Sequence, residues 1–230
     1  MDKAPTYERK FAAGPELKTF ALEWLRHACL PEPDYPEAVL FTLYYDTPGL
    51  RSLAEKADGD HSKTKYRLRW YEPDRSPDPD SHYAFFEIKR KAGDGRRKQR
   101  TRIIARRETL RAMDFDDPWF GSVLREAGEA LGVPLDPGLA PMVLLRYRRH
   151  RFICPFTMAS VSLDSEIAVV AHNPRRLALL APRDVPATVL EFKDLKRENP
   201  EWMSPLLAAG FMRRGFSKYA ECIGRLTWEG

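Results

Sequence analysis

The chain has 230 residues, of which 43% are hydrophobic and 11% aromatic, so a packed core is expected and a wholly disordered chain is excluded. The formal net charge of +5 favours an anionic partner without choosing among the candidates. No apolar run approaches the ~18 residues that span a bilayer, and the N-terminal MDKAPTYERK lacks the apolar core of a secretory signal, so we predict a soluble, cytoplasmic protein.

The first predicted elements are a short strand, a helix and a second strand. Residues 6–11 alternate in character and place Glu8 and Lys10 on one strand face. Residues 39–45 read as a strand, and Asp46 directly after it is expected to cap a helix rather than to bind a metal. Between these strands, apolar spacing predicts an amphipathic helix with the stripe Leu17, Phe20, Ala21, Trp24, Leu25 and Ala28.

Three consecutive strands with charged side chains at every second position are predicted next. Side chains on a strand alternate between its two faces, so the charged residues share one face. Links that contain Gly, Pro and Asp predict that the strands form an antiparallel meander. The shared face, here called the basic face, carries Lys65, Arg67, Arg69, Glu87, Lys89, Lys91, Lys98, Arg100 and Arg102. The opposite, strand-favouring face carries Tyr66, Leu68, Trp70, Phe86, Ile88, Thr101 and Ile103.

The charge imbalance of the basic face points to a ligand. Glu87 is the single carboxylate among its cations. Solvated sheet faces normally mix signs, because like charges directly opposite one another destabilise a strand pair. Phosphate oxygens match the fork of an arginine, and lysine adds point charge. The sequence therefore predicts that a phosphate-rich anion binds this face.

The later elements follow from periodicity and turn residues. Tyr147, Arg149 and Arg151 share a face of the first later strand, and Glu191 and Lys193 share a face of the last. Residues 172–186 are irregular and are predicted to form a mobile loop at the mouth of a site. The remaining predictions are a helix at 117–131 ended by Gly132, strands at 142–152, 157–164 and 188–193, a helix at 200–209 and a closing helix that contains Lys218.

These elements predict an α+β fold, an eight-stranded antiparallel tunnel barrel with helices packed outside, in a single domain over residues 1–230. Cations buried in a dry interior would cost several kcal/mol each, so the interior is expected to be wet and to bind a polyanion. Glu8, Glu87 and Glu191 are each followed two residues later by a lysine. These glutamates are either salt-bridge partners of the cations or ligands of Mn²⁺ or Mg²⁺.

Other kinds of site find no support in the sequence. Cys29, Cys154 and Cys222 form an odd set without metal-ligand spacing, which is typical of reduced, packed thiols. The histidines form no HExxH motif, and no serine lies in G-x-S-x-G. Phosphoryl transfer needs no covalent nucleophile, because metal and fixed cations stabilise the transferring group.

The motifs YERKF, LYYDT, KYRLRWY, FFEIKRK with KQR, YRRHRF, VSLD, VLEFK and FSKY follow one another through nearly the whole chain. In these motifs the chain resembles the VTC domains of polyphosphate polymerases, within the CYTH-like superfamily of triphosphate tunnel metalloenzymes. The resemblance implies a tunnel of antiparallel strands that binds the triphosphate of ATP and passes the terminal phosphate to a growing polyphosphate chain.

The resemblance also implies roles for individual residues. It implies Glu191 as the metal-binding carboxylate, and we expect Glu8 and Glu87 as further metal candidates. The bases expected to act on the transferred phosphate are Lys10, Arg67, Arg69, Lys89 and Arg149. The bases expected to bind substrate are Lys98 on the basic face, Lys218 at the tunnel mouth, and Lys65, Lys91, Arg100 and Arg102. The expected partners are ATP, polyphosphate and a separate membrane protein. Nucleic acid is not expected, because aromatic and basic side chains are predicted on opposite faces.

Two departures from the family pattern leave alternatives open. Hydrolytic tunnel enzymes often begin with E-x-E-x-K, and here Thr6 replaces the first glutamate. This substitution disfavours a second enzyme hypothesis, a phosphatase that hydrolyses inorganic triphosphate or nucleoside triphosphates. Ser160 stands where many VTC domains carry an arginine. Its presence motivates a third hypothesis, a non-catalytic module that binds polyphosphate or an inositol phosphate.

Overall fold

The computed structural model describes residues 7–57, 62–93, 95–177, 184–195 and 198–227. The strands are β1 (Tyr7–Ala13), β2 (Leu30–Pro31), β3 (Glu37–Asp46), β4 (Ser62–Glu72), β5 (Ser81–Ala92), β6 (Gly95–Arg106), β7 (Ala140–Ile153), β8 (Ser160–His172), β9 (Asp184–Val185), β10 (Thr188–Asp194) and β11 (Met212–Arg213). The α-helices are α1 (Lys18–Ala28), α2 (Arg51–Ala57), α3 (Arg107–Ala112), α4 (Trp119–Leu131), α5 (Ser204–Ala208) and α6 (Lys218–Thr227). None of these described helices has the length and apolar composition needed to cross a membrane.

The chain divides into two compact units, each assembled from separate segments. Unit 1 comprises Met1–Val39, Tyr147–Ile167 and Asp184–Lys218. Unit 2 comprises Leu40–Arg146, Ala168–Arg183 and Tyr219–Gly230. The single domain over residues 1–230 stays a prediction.

Unit 1 is built on an antiparallel run of strands in the order β11, β1, β10, β8 and the second part of β7. The short β2 pairs with the end of β7, where Leu30 lies opposite Ile153. Alternate residues of these strands point into a core shared with α1 and α5. The fully buried members of that core include Phe11, Leu25, Leu163, Leu190, Phe192 and Leu206.

Unit 2 is built on the first part of β7 followed by β3, β4, β5 and β6. The predicted meander is confirmed, since β4 pairs antiparallel with β5 and β5 with β6. The amphipathic α4 packs against the apolar face of this sheet and ends at Gly132, whose φ of 61° is a left-handed conformation that glycine adopts without strain. The core includes Leu68, Phe86, Ile103, Phe120 and Val123.

The predicted eight-stranded barrel is only partly supported. The antiparallel, sheet-rich α+β architecture with covering helices is confirmed. Among the described residues, the run of strands in each unit is open and does not close on itself. The two-residue strands β2, β9 and β11 were not predicted, because elements this short carry no periodicity.

Most predicted elements are present with shifted ends. Asp46 caps as expected, because its Oδ1 accepts a hydrogen bond from the backbone N–H of Ser52 in α2 at 2.9 Å. The short α3 was not predicted. Thr6 and residues 178–183 of the predicted mobile loop lie outside the described residues. The three cysteines are buried and unbridged, as predicted.

Candidate anion-binding site

The basic face of the meander is confirmed by the burial of its opposite face. Leu68, Trp70, Phe86, Ile88 and Ile103 are all buried in the core of unit 2. Strand alternation then directs the charged residues between them away from that core. The ladders align the cations in rows, so that Lys65 lies opposite Lys89, Lys89 opposite Lys98, and Arg67 and Arg100 opposite Glu87.

Glu87 gathers four of the predicted cations around one carboxylate. Its side chain is fully buried, with 0% exposed. Arg67 donates to Oε2 from Nε at 2.7 Å, and Arg69 Nη1 lies 3.9 Å from the same oxygen. Lys98 Nζ lies 2.5 Å and Arg100 Nε 3.9 Å from Oε1. One negative charge therefore holds four positive charges in place, and the cluster keeps an excess of positive charge.

The electrostatics of this cluster favour an ionised Glu87. Burial alone would raise the pKa of the Glu87 carboxyl, but the charges of Arg67, Arg69 and Lys98 outweigh burial and hold that pKa well below its usual range. Arg67 and Arg69 are themselves only 8% and 6% exposed. Arg69 is also fixed by Thr42, whose hydroxyl accepts from its Nε at 3.2 Å. These contacts fix the positions of both arginines within the protein.

The other predicted bases of unit 2 extend the basic face beyond Glu87. Lys65 and Lys89 are half-buried, whereas Lys91 is exposed. Arg102 is exposed and lies in register with Phe85, with its guanidinium carbon 4.9 Å from the ring centroid of Tyr83. The basic face thus runs along the whole meander, from lysines at one end to arginines at the other.

In unit 1, two E-x-K motifs lie side by side on β1 and β10. Their antiparallel register sets Glu8 opposite Lys193 and Lys10 opposite Glu191. Lys10 Nζ lies 3.3 Å from Glu8 Oε1 and 3.5 Å from Glu191 Oε2, while Lys193 Nζ lies 2.7 Å from Glu191 Oε1. The E-x-K spacing therefore brings two of the three predicted metal candidates to one ammonium group.

A second cation cluster of unit 1 surrounds Asp164, which is 0% exposed. Arg149 donates to both of its oxygens, at 2.5 and 2.6 Å, and Lys218 Nζ donates to Oδ2 at 2.5 Å. The buried ring of Tyr147 lies beneath both cations, 4.7 Å from Lys218 Nζ. Burial would raise the pKa of Asp164, but Arg149 and Lys218 hold it well below its usual range.

Sequence reasoning missed several residues of these clusters. Asp164 and Thr42 were not expected to orient bases, because partners on separate strands cannot be identified before the strand order is known. The prediction that aromatic and basic side chains lie on opposite faces is wrong for Phe85 and Tyr83. Phe85 and Tyr83 lie two and four residues before Glu87 on β5, and side chains at every second position share a strand face. Their position on the basic face could therefore have been predicted from the sequence.

Among the residues that the structure describes, no three His, Cys, Asp or Glu side chains are grouped so that they could hold a metal ion. Glu87 has both carboxylate oxygens engaged by cations, and Glu8 and Glu191 are engaged by lysines. All three predicted metal candidates therefore form salt bridges with cations, which is the alternative to metal binding that the sequence left open.

The fold and the two clusters define a class of protein: an antiparallel α+β domain in which arginines and lysines are fixed around buried carboxylates. A family model agrees with this description, since the VTC domain matches residues 14–227. The chain belongs to the VTC domain family. No protein with curated function matches the chain by sequence.

Comparison with solved structures gives distant relatives of the fold. A candidate adenylate cyclase from Vibrio parahaemolyticus matches with a TM-score of 0.50 and 11% identity, over 96% of this chain and 98% of the other. A candidate adenylate cyclase from Bacillus halodurans matches with a TM-score of 0.47 and 13% identity, over 89% of each chain. At this level of identity the first likeness shows the fold alone.

Proposed function

We propose that this protein is a metal-dependent polyphosphate polymerase that transfers the terminal phosphate of ATP to a growing polyphosphate chain. The observation that carries the proposal is the cluster around Glu87, where four cations share one buried carboxylate. Such an excess of fixed positive charge is costly without a ligand and is offset by a bound polyphosphate. Membership of the VTC domain family supports the same activity.

The cations of unit 2 would bind and orient the phosphate oxygens. Arg67 and Arg69 are held by Glu87 and Thr42, so their guanidinium groups need little rearrangement when a phosphate approaches. Lys98 and Arg100 also contact Glu87 but are more exposed, with 44% and 39% of their side chains accessible, so they can adjust more than Arg67 and Arg69 when an anion binds. Fixed and adaptable donors together suit a substrate whose length changes with each addition.

The cations of unit 1 would play an equivalent part. Asp164 fixes Arg149 and Lys218 through charge-assisted hydrogen bonds, which are stronger than neutral ones. The Tyr147 ring lies close to both, with its centroid 5.6 Å from the guanidinium carbon of Arg149 and 4.7 Å from Lys218 Nζ. Phosphoryl transfer depends on positioning and on stabilising the charge of the transferring group, and paired, supported cations serve both needs.

Two glutamates of unit 1 carry the oxygen ligands that a hard divalent cation prefers. Carboxylate oxygens of Glu8 and Glu191 converge on the ammonium group of Lys10. Mg²⁺ and Mn²⁺ are commonly bound by one or two carboxylates together with substrate phosphates. We assign Glu8 and Glu191 to such a metal and Glu87 to the role of counter-ion. The metal, when bound, would neutralise charge on the phosphate oxygens.

In the proposed reaction, a terminal oxygen of the polyphosphate chain attacks the γ-phosphorus of ATP. The bond between that phosphorus and the β,γ-bridging oxygen breaks, and ADP leaves with the bond electrons. The bases contribute by holding donor and acceptor phosphates in line. The tunnel implied by the family resemblance stays a prediction.

Incubation of the purified protein with ATP and Mn²⁺ tests the proposal. We expect ADP and polyphosphate to accumulate together, and Glu191→Gln to abolish both while the exposed Glu201→Gln leaves both unchanged. Free phosphate without chain growth would identify a phosphatase instead. Tight polyphosphate binding without turnover, unaffected by Glu191→Gln, would identify a binding module.

A further inference from the structure

The basic face of the meander changes in character along its length. Successive rows of partners lie two residues apart along each strand, which corresponds to a spacing of about 7 Å. The first rows are cationic, and aromatic or apolar side chains enter further along the same face. From the lysine end, the rows are Lys65, Lys89 and Lys98; then Arg67, Glu87 and Arg100; then Arg69, Phe85 and Arg102; then Tyr83 and Ile104.

The aromatic rings at the far end are arranged with the guanidinium groups. The guanidinium carbon of Arg100 lies 3.6 Å from the ring centroid of Phe85, and that of Arg102 lies 4.9 Å from the centroid of Tyr83. Tyr71 meets Phe85 edge to face, with centroids 6.2 Å apart. These three rings are half-buried, and Ile104 beside Tyr83 is 62% exposed. The end of the basic face is therefore partly apolar and carries aromatic rings and an exposed guanidinium group.

Packing alone would explain a single arginine that lies on a ring, because stacking covers apolar surface. It does not explain why the lysines lie at one end of the basic face and the aromatic rings at the other end. A ligand that is anionic at one end and flat and aromatic at the other would match this order. A nucleoside triphosphate has both parts, and its base can stack on aromatic side chains and on arginine planes.

We propose that the aromatic end of the basic face is a nucleobase subsite, at which the base of a nucleoside triphosphate stacks on Tyr83, Phe85 and the guanidinium of Arg102. The rows of arginine and lysine take the triphosphate. This inference rests on the proposed use of ATP. Since every base presents a π-face, the subsite holds the nucleotide without reading its identity.

The test compares the binding of ATP with that of inorganic triphosphate, measured by calorimetry at fixed ionic strength with a chelator present. Tyr83→Leu keeps bulk but removes the ring, and Arg102→Lys keeps charge but removes the planar group. We expect each variant to weaken ATP binding at least about fivefold and to change triphosphate binding by less than about twofold. Phe156→Leu is the control, because Phe156 is an aromatic residue of unit 1 that is 83% exposed.

Equal losses for the two ligands, or no loss for either, would overturn the nucleobase subsite. The same conclusion follows if a short single-stranded poly-thymidine oligonucleotide binds more tightly than ATP and loses affinity with Tyr83→Leu, since the surface would then be a nucleic-acid platform. If polyphosphate still accumulates while these variants do not discriminate, only the subsite is wrong. If the unmodified protein binds neither ATP nor triphosphate, and also makes no polyphosphate from ATP and Mn²⁺, the subsite and the polymerase are both wrong.

Discussion

Buried carboxylates organise the bases of each unit. Glu87 and Asp164 are both 0% exposed, and each accepts contacts from at least two cations. Removing one of these carboxylates would leave buried positive charges without a neighbouring counter-charge. The bases themselves were predictable from alternation along single strands. Glu87 was predictable in the same way, whereas Asp164 was not, because its contacts depend on which strands become neighbours.

Replacing Glu87 by glutamine should destabilise the protein by about 3–5 kcal/mol, because Arg67 and Arg69 would lose their buried counter-charge. Urea denaturation would measure the loss, with Glu129→Gln as a control that removes the same charge from an exposed position of α4. Added inorganic triphosphate should recover part of the loss in Glu87→Gln. A loss no larger than that of Glu129→Gln would contradict the counter-ion role.

Acid should unfold the protein through the same carboxylates. The pKa values of Glu87 and Asp164 are depressed in the folded state, whereas unfolded carboxyls titrate near about 4. The stability they contribute is therefore fully present above about pH 5 and is lost as the pH falls below about 4 toward the folded pKa. Urea midpoints measured between pH 7 and pH 3 should fall steeply. A variant with Glu87→Gln and Asp164→Asn should have a lower urea midpoint at pH 7 and a smaller decrease of that midpoint toward pH 3. An equal decrease in the variant and the unmodified protein would show that these two carboxylates do not cause the acid sensitivity.

Long helices and strands with regular apolar periodicity were predicted from the sequence, and short elements were not. The meander of β4, β5 and β6 and the helices α1 and α4 followed directly from spacing. The α3 helix and the two-residue strands were missed, since too few residues define a period. The stripe predicted for α1 was also too wide, because Phe20 is 42% exposed while Ala21 and Leu25 are fully buried.

The packing of α1 gives a matched pair of substitutions. Leu25→Ala should destabilise the protein by about 2–5 kcal/mol, because Leu25 is buried in the core of unit 1. Phe20→Ala, on the exposed side of the same helix, should cost less than about 1 kcal/mol. Thermal and urea unfolding of the two variants would compare them. Equal losses would show that α1 is not anchored through Leu25.

The whole molecule carries a formal net charge of +5, and the basic face and the cluster around Asp164 each hold more cations than carboxylates. A polyanion that binds the folded state should stabilise it by mass action. Inorganic triphosphate at about a hundred times its Kd should raise Tm by about 5–10 °C. Sodium chloride at equal ionic strength is the control for screening. If chloride raises Tm as much as triphosphate does, the effect is general and not due to a bound ligand.

Neither unit corresponds to one continuous stretch of chain, and this has a consequence for synthesis on the ribosome. Unit 1 receives its last segment, Asp184–Lys218, only after most of unit 2 has been translated, and unit 2 ends with Tyr219–Gly230. Asp164 is translated before Lys218, so their ion pair forms late. Asp46 likewise accepts a hydrogen bond at 2.8 Å from the hydroxyl of Tyr219, which is translated much later. Neither unit can therefore be completed before residues Lys218 and Tyr219 have been translated, and until then both incomplete units expose surface that favours aggregation.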